Sequence, residues 1–262
     1  MTISKVNNIA YADLAKFKSV TKANLGKMKG VSKPSSFANT GSLQFDGTND
    51  VLDFGDITLL DGLTTLTISM WVNFDTVPGT YSTARDLFTK GPGSNSTKGI
   101  AIRIAGDGGS GNGVRFGFQT PGNFLFTTSH PTIETGTWYH IALTMAALGF
   151  NFYVNGALAS SANQGGGVTI ENVSHALQIG NGPGQANDGY IDEVAVFNTT
   201  KSLSDIQGYF NSGVPTDLSS EGGLIGYWRM EEGSGSTVAD SSSNSNAGTL
   251  TNGAAFTSNV PS

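Results

Sequence analysis

Apolar and polar side chains alternate along residues 138–156, where the dominant pattern of the chain is clearest. One face of the first strand carries Tyr139, Ile141, Leu143 and Met145, and the other carries Trp138, His140, Ala142 and Thr144. A second strand carries apolar residues at 150, 152 and 154, and Asn155-Gly156 favours a type I′ turn into a return strand at 157–161. The pattern predicts three consecutive antiparallel strands whose apolar face needs a second layer to cover it.

The same alternation recurs along the chain, with glycine-rich turns between the segments. It predicts further strands at 42–46, 51–54, 66–75, 86–90, 99–105, 113–119, 123–128, 176–181, 189–197, 223–230 and 249–256. A turn-rich loop at 233–248 separates the last two strands. Closely spaced strands with turns between them are typical of a sandwich or barrel.

One short helix interrupts the strands after residue 200. Ser202 or Ser204 can cap it, and the spacing of Ser202 and Asp205 resembles a capping box. Its apolar side is formed by Ile206, Tyr209 and Phe210, and Gly213 and Pro215 end it.

Composition agrees with an all-β protein and narrows its chemistry. The 262 residues include 36 glycines, only 13% are charged, and there is no cysteine, which excludes disulfides and thiolate sites. No stretch reaches the roughly 18 apolar residues of a membrane helix. The N-terminus lacks the apolar core of a classical secretory signal. We therefore expect neither membrane insertion nor that route of secretion.

Charge is divided unevenly between an N-terminal arm and the rest of the chain. Residues 1–35 contain seven lysines and one acid, a net +6, whereas the remainder contains seven bases and nineteen acids, a net −12. The arm consists of three 11-residue repeats, each with a lysine third, an apolar residue fourth and a β-branched residue seventh. These positions are Lys5, Val6, Ile9, Lys16, Phe17, Val20, Lys27, Met28 and Val31. Such small units need a partner surface or copies of themselves to bury their apolar side chains.

The domain organisation follows from these patterns. Residues 1–35 form the basic arm, 36–41 a linker, and 42–262 the β-sandwich with its C-terminal closing strands. The arm either docks on another protein or presents a solvated basic face. We expect no nucleic-acid binding, because the arm has no arginine and few aromatic residues.

Segments of the body resemble, in order, the laminin G-like branch of the concanavalin A-like lectin/glucanase superfamily. The matching segments are 42–55, 66–75, 87–91, 138–161, 177–181 and 189–213. The resemblance implies an all-β fold, a two-sheet antiparallel jelly-roll sandwich. Residues 227–254 also resemble the family, but there the equivalent segment precedes the first strand. They are either a circularly permuted closing strand, which we favour, or the start of another repeat.

Glycoside hydrolysis is the first activity to test, because the superfamily includes glucanases. Those enzymes place their carboxylates on one strand as E-x-D-x-x-E, and the corresponding positions here are Tyr190, Asp192 and Ala195. Two of the three acids are missing, so the paired-carboxylate chemistry cannot operate. His140 alternates with core positions and is expected to be a hydrogen-bonded sheet residue. With no nucleophile or phosphate-binding motif either, we expect a protein that is not an enzyme.

The resemblance also implies a calcium site. Family members often hold one Ca²⁺ between the turn after the first strand and the strand at 189–197, which makes Asp46 and Asp192 the candidate metal ligands. Each also has a structural interpretation, with Asp46 supporting its turn and Asp192 a hydrogen-bonded strand residue.

Carbohydrate binding is implied by the fold family, although a fold does not fix a function. A saccharide site needs aromatic faces and nearby amides or carboxylates. The candidates are Trp71 and Trp138 with Asn73 and Asn155, and the sequence does not choose among them.

The arm and the order of the segments resemble virion structural proteins of tailed phages. That resemblance implies a head decoration, fibre or tail appendage that is assembled in the host cytoplasm. Its arm would bind capsid or tail proteins, and the protein would form a homo-oligomer. The alternative is a carbohydrate-binding module or adhesin that recognises cell-surface glycans.

Overall fold

The computed structural model describes residues 37–79, 84–91, 99–106, 114–120, 123–126, 132–146, 149–163, 169–171, 174–181 and 186–262. The chain divides into two compact units, residues 1–38 and 39–262. The repeat arm at 1–35 and all of its predicted docking positions lie outside the described residues. The second unit contains every strand described below.

The elements alternate strand and turn along the chain, as the sequence predicts. They are β1 Ser42–Asp46, β2 Val51–Asp53, a 3₁₀ turn Thr58–Leu60, β3 Leu66–Phe74, β4 Arg85–Lys90, β5 Ile100–Gly106, β6 Val114–Thr120, β7 Asn123–Phe126, β8 Trp138–Ala146, β9 Gly149–Val154, β10 Ala157–Asn163, β11 Leu177–Ile179, β12 Asp188–Phe197, α1 Leu203–Phe210, a 3₁₀ turn Asn211–Gly213, β13 Leu224–Trp228, β14 Thr237–Val238, β15 Gly248–Thr251 and β16 Ala255–Thr257.

The strands form two antiparallel sheets that pack face to face. The first sheet has the order β10-β9-β8-β3-β12-β1-β16, with β13 also paired to β12, and the second has the order β14-β15-β2-β11-β4-β5-β6-β7. Their inner faces meet in one core, in which Met70 of β3 and Ile102 of β5 are fully buried. The predicted all-β sandwich is confirmed.

Helix α1 covers part of the outer face of the first sheet. Ser202 caps it with a capping box, because its Oγ accepts from the Asp205 amide at 3.2 Å and the Asp205 carboxylate accepts from the Ser202 amide at 2.9 Å. The Tyr209 ring stacks on Phe197 of β12 with centroids 5.7 Å apart. The helix ends at Asn211, which has left-handed φ, so it is slightly shorter than predicted. Among the described residues, no helix is long and apolar enough to cross a membrane.

The turn between β9 and β10 fixes where α1 can lie. Asn155 and Gly156 both have positive φ, 49° and 73°, as the predicted turn requires. A Cβ on Gly156 would stand 3.1 Å from the Phe210 ring, so the glycine also permits the close approach of the helix.

The C-terminal segment completes both sheets. β13 pairs with β12 and β16 with β1 in the first sheet, whereas β15 pairs with β2 in the second. The prediction of one closing strand at 249–256 is therefore wrong: Asn252-Gly253, both with positive φ, separate two strands that belong to different sheets. The loop predicted at 233–248 also contains β14, which pairs with β15.

Candidate functional site

A row of aromatic and amide side chains crosses the outer face of the first sheet. Trp138 on β8 lies opposite Asn73 on β3, Asn73 lies opposite Tyr190 on β12, and Tyr190 lies opposite Gln44 on β1. Because paired residues share a face of the sheet, these four side chains project on the same side. We call them the aromatic row.

The aromatic row combines two partly exposed rings with a buried amide. The rings of Trp138 and Tyr190 have centroids 6.3 Å apart and planes inclined by 48°. Between their strands, Asn73 is 2% exposed, and within the described residues its Oδ1 accepts no hydrogen bond. Gln44 Nε2 donates to the Tyr190 hydroxyl at 3.4 Å, and Trp138 Nε1 donates to Asn259 Oδ1 at 3.2 Å. Such rings can hold an apolar ligand face while the amides bond its polar groups.

Two of the four carbohydrate-binding candidates from the sequence lie elsewhere. Trp71 is only 3% exposed, with its ring 6.0 Å from that of Phe210 on α1. Asn155 Oδ1, in the turn between β9 and β10, accepts from the His140 amide of β8 at 2.9 Å. The structure thus brings Trp138 and Asn73 together, whereas Trp71 packs beneath the helix and Asn155 holds the hairpin.

His140 lies beside Trp71 under the helix. It is fully buried, and its Nε2 is 2.8 Å from Ser69 Oγ. Burial lowers the pKa of His140 to about 3, so the ring is neutral. This is the hydrogen-bonded sheet histidine expected from the sequence, although its Nδ1 has no partner within the described residues.

Two successive acids are buried on β12. Asp192 faces outward opposite Trp71. The register shift that follows it, at which Glu193 has φ of +48°, turns Glu193 to the same face. Asp192 Oδ2 accepts from Asn39 Nδ2 at 2.9 Å. Glu193 accepts from the Tyr227 hydroxyl, and its Oε1 is 3.5 Å from Arg229 Nε. We call Asp192 and Glu193 the buried acid pair.

Burial controls the charge of this pair. It raises the pKa of Asp192 well above its ordinary value and that of Glu193 to about 8. Asp192 is bonded to Asn39 and Glu193 to Tyr227, so these buried side chains hold neighbouring segments to β12. Strict alternation along β12 assigns Glu193 to the core face. The sequence therefore did not predict a second buried acid beside Asp192 on the outer face. The only signal was a pair of adjacent acids in an apolar strand.

The linker predicted at 36–41 ends within the sandwich unit. Thr40 donates through its amide and its hydroxyl to the carboxylate of Glu231, at 2.9 and 2.5 Å. A Cβ on Gly41 would meet the Met230 carbonyl oxygen at 2.4 Å. Residues 39–41 are therefore fixed to the C-terminal strands and to the buried acid pair.

The two predicted calcium ligands do not converge. Asp46 pairs with Asp188 of β12, and Asp192 lies four residues further along that strand, about 13 Å away at the usual rise. Asp46 Oδ1 accepts from the Thr48 amide at 2.8 Å, which supports its turn. In the part of the chain that the structure describes, no three His, Cys, Asp or Glu residues are grouped to hold a metal. The residues do not fit a shared Ca²⁺ site, and calcium binding stays a prediction from resemblance.

Comparison with protein families identifies the class to which the fold belongs. A laminin G-type profile described as the concanavalin A-like lectin/glucanases superfamily matches residues 46–207, more than half of the chain. The chain belongs to this superfamily, as its sequence segments predicted. No curated protein matches it.

Solved structures resemble the chain in fold at low sequence identity. A Bacteroides ovatus protein to which carbohydrate binding is attributed has a TM-score of 0.65 and 18% identity, over 88% of this chain and 66% of that protein. A heptameric SAP-like pentraxin from Limulus polyphemus has a TM-score of 0.51 and 14% identity, over 66% of this chain and 82% of the pentraxin. This chain spans just under two thirds of the Bacteroides protein.

Proposed function

We propose that this protein is a carbohydrate-binding domain whose ligand contacts the aromatic row. Trp138, Asn73 and Tyr190 carry the proposal, because two partly exposed rings stand on either side of a buried carbonyl oxygen that accepts no hydrogen bond from the residues the structure describes. A sugar ring presents an apolar C–H face and several hydroxyl donors, which match these two features. Membership of a lectin-containing superfamily and the function attributed to the Bacteroides protein agree with this choice.

We infer that the domain binds without catalysing a reaction. Tyr190 and Ala195 occupy the strand positions at which the glucanase pattern has its outer acids. The remaining acid, Asp192, is fully buried and bonded to Asn39. An acid enclosed in this way has no path to a glycosidic oxygen.

Replacing Trp138 tests the site directly. A glycan array with the wild-type protein identifies a ligand, and calorimetry then compares Trp138→Ala with Leu158→Ala. Leu158 is a 54% exposed apolar residue on β10, away from the aromatic row. We expect Trp138→Ala to weaken binding about tenfold or more, since loss of one stacking ring removes about 1.4 kcal/mol or more. Leu158→Ala should bind as wild type does.

Two outcomes would reject the proposed site. The first is an array on which the wild-type protein binds no saccharide at all. The second is a bound saccharide whose affinity is the same for Trp138→Ala and wild type, which would move the contact to another surface.

A second and separable proposal concerns where the domain acts. We propose that it belongs to a phage virion, assembled in the host cytoplasm and bound to capsid or tail proteins by its arm. The three basic repeats at 1–35 and the acidic body support this, because the arm needs a host surface. Deleting residues 1–35 should abolish incorporation into particles, and a truncated protein that still incorporates would contradict the docking role.

A further inference from the structure

Three carboxylates lie alongside the aromatic row on the outer face of the first sheet. Asp188 precedes Tyr190 by two residues on β12 and pairs with Asp46 of β1, while the Asp75 amide donates to the Asp188 carbonyl at 3.1 Å. Residues two apart on a strand share a face and are about 7 Å apart. Asp46, Asp75 and Asp188, which we call the acidic rim, therefore lie one row away from Gln44, Asn73 and Tyr190.

The acidic rim keeps a negative charge. Among the described residues, the ion pair at the rim is formed by Arg85, whose Nη1 is 3.6 Å from Asp188 Oδ2 and donates to the Thr76 carbonyl at 2.7 Å. Three carboxylates and one guanidinium leave a net charge of about −2 when all are ionised. The pKa of Asp75 is raised by partial desolvation and by the charge of Asp188, so these two carboxylates are close enough to interact.

The carboxylates of the acidic rim and the Asn73 carbonyl oxygen are hydrogen-bond acceptors on this side of the row. Carboxylates accept and do not donate, and Asn73, which is 2% exposed, has an Oδ1 that accepts no hydrogen bond within the described part of the chain. Sugar hydroxyls are donors that satisfy them. A uronate or sialate carboxylate would instead meet acceptors and like charge, and Arg85 is already engaged by Asp188.

We propose that the aromatic row takes uncharged saccharides and discriminates against anionic ones such as uronides and sialosides. This inference rests on the proposed carbohydrate-binding function and adds the ligand class. The inference concerns the ratio of the affinities for uncharged and anionic saccharides. Exposed charges about 7 Å from the row act through water and are screened by salt, so they lower the affinity for an anion without excluding it.

Matched ligand pairs that differ only in charge test the inference. Calorimetry at low salt compares the methyl ester of sialyllactose with free sialyllactose, and methyl-esterified oligogalacturonate with the free acid, together with the esterified and free forms of any acidic saccharide that the array identifies. We expect the uncharged member to bind more tightly in each pair that binds. Asp75→Asn should reduce the ratio of the two affinities about two- to threefold, as should raising the salt concentration. Asp53→Asn, on β2 of the second sheet, changes the net charge by the same amount and should leave the ratio of the two affinities unchanged.

The outcomes separate this inference from the function beneath it. Charge discrimination is wrong if anionic members bind as tightly as their uncharged partners. It is also wrong if neither Asp75→Asn nor added salt changes the ratio of the two affinities. Carbohydrate binding stands in both cases. If no saccharide binds, the proposed function fails and the ligand class fails with it. If Trp138→Ala abolishes binding and the ratio responds as expected, both hold.

Discussion

Folding raises the pKa of Glu193 into a pH range in which its effect on protein stability can be measured. It is 2% exposed and accepts a hydrogen bond from Tyr227, and burial raises its pKa from 4.5 to about 8. Between these two values the folded protein binds a proton that the unfolded chain has released. Its contribution to stability is therefore complete below pH 4.5 and is lost as the pH rises through 8.

His140 acts in the opposite direction over a different range. Its pKa falls from 6.5 to about 3 on burial, so its contribution is present above pH 6.5 and is lost as the pH falls towards 3. The two residues oppose each other in mildly acidic solution. Above pH 6.5, His140 is neutral in the folded protein and loses its remaining charge in the unfolded chain, so the titration of Glu193 dominates up to pH 8.

Replacing Glu193 by Gln should flatten the pH dependence of stability. For the wild type, we expect the thermal midpoint to fall as the pH rises from 6.5 to 8. Glu193→Gln keeps an acceptor for Tyr227 and carries no titrating proton, so its midpoint should change less over this window, with Asp192 causing any remaining slope. Scanning calorimetry at the two ends of the window provides the measurement. Equal slopes for both proteins would show that Glu193 does not titrate as described.

At the scale of single elements, α1 is the piece most dependent on local sequence. It has eight residues and is too short to persist without its cap and its packing on the sheet. The sequence left two serines as possible caps. In the structure Ser202 makes both bonds of the capping box with Asp205, whereas Ser204 lies exposed inside the helix.

The two serines form a matched pair for testing the cap. Ser202→Ala removes the Oγ that accepts from the Asp205 amide, and should lower the free energy of unfolding by about 1 kcal/mol. Ser204→Ala should be neutral or slightly stabilising, because alanine has the higher helix propensity. Urea unfolding of both variants gives the comparison. Equal destabilisation by the two changes would assign the effect to hydroxyl loss in general rather than to the cap.

Strands and cap were predictable because each depends on local rules. Alternation placed Met70 and Trp71 on opposite faces, and it placed Trp71 and Asn73 on the same one. It gave no information about which outward residue a later helix would cover, so Trp71 and Asn73 stood as equal candidates. The bulge at Glu193 also escaped, because an extra residue in a strand leaves no periodic signal. Tertiary packing decides both points.

At the scale of the whole molecule, the C-terminal segment closes the sandwich from both sides. β13 and β16 extend the first sheet, and β14 with β15 extends the second. Trp228 is fully buried, with its ring 4.2 Å from that of Phe54, and its Nε1 donates to the Asn246 carbonyl at 2.7 Å. The start of a separate repeat would bury its tryptophan in its own core. The position of Trp228 therefore favours a closing segment of this sandwich.

Splitting the chain before this segment should leave neither piece folded. Without residues 221–262, strands β1, β2 and β12 each lose a hydrogen-bonded neighbour, and the core loses Trp228. We expect residues 1–220 alone to show no cooperative thermal transition. Mixing them with the 221–262 fragment should restore one, because the missing strands can pair from outside as they do within the chain.

A variant of the added fragment makes the experiment specific. The Trp228→Ala fragment should restore a transition of much lower stability, since emptying a buried tryptophan site costs about 3–5 kcal/mol. A Thr249→Ala fragment changes an exposed side chain on β15 and should behave as the native fragment does. If residues 1–220 unfold cooperatively alone, with the midpoint of the full chain, the segment is dispensable and the closure of the sandwich has been wrongly assigned.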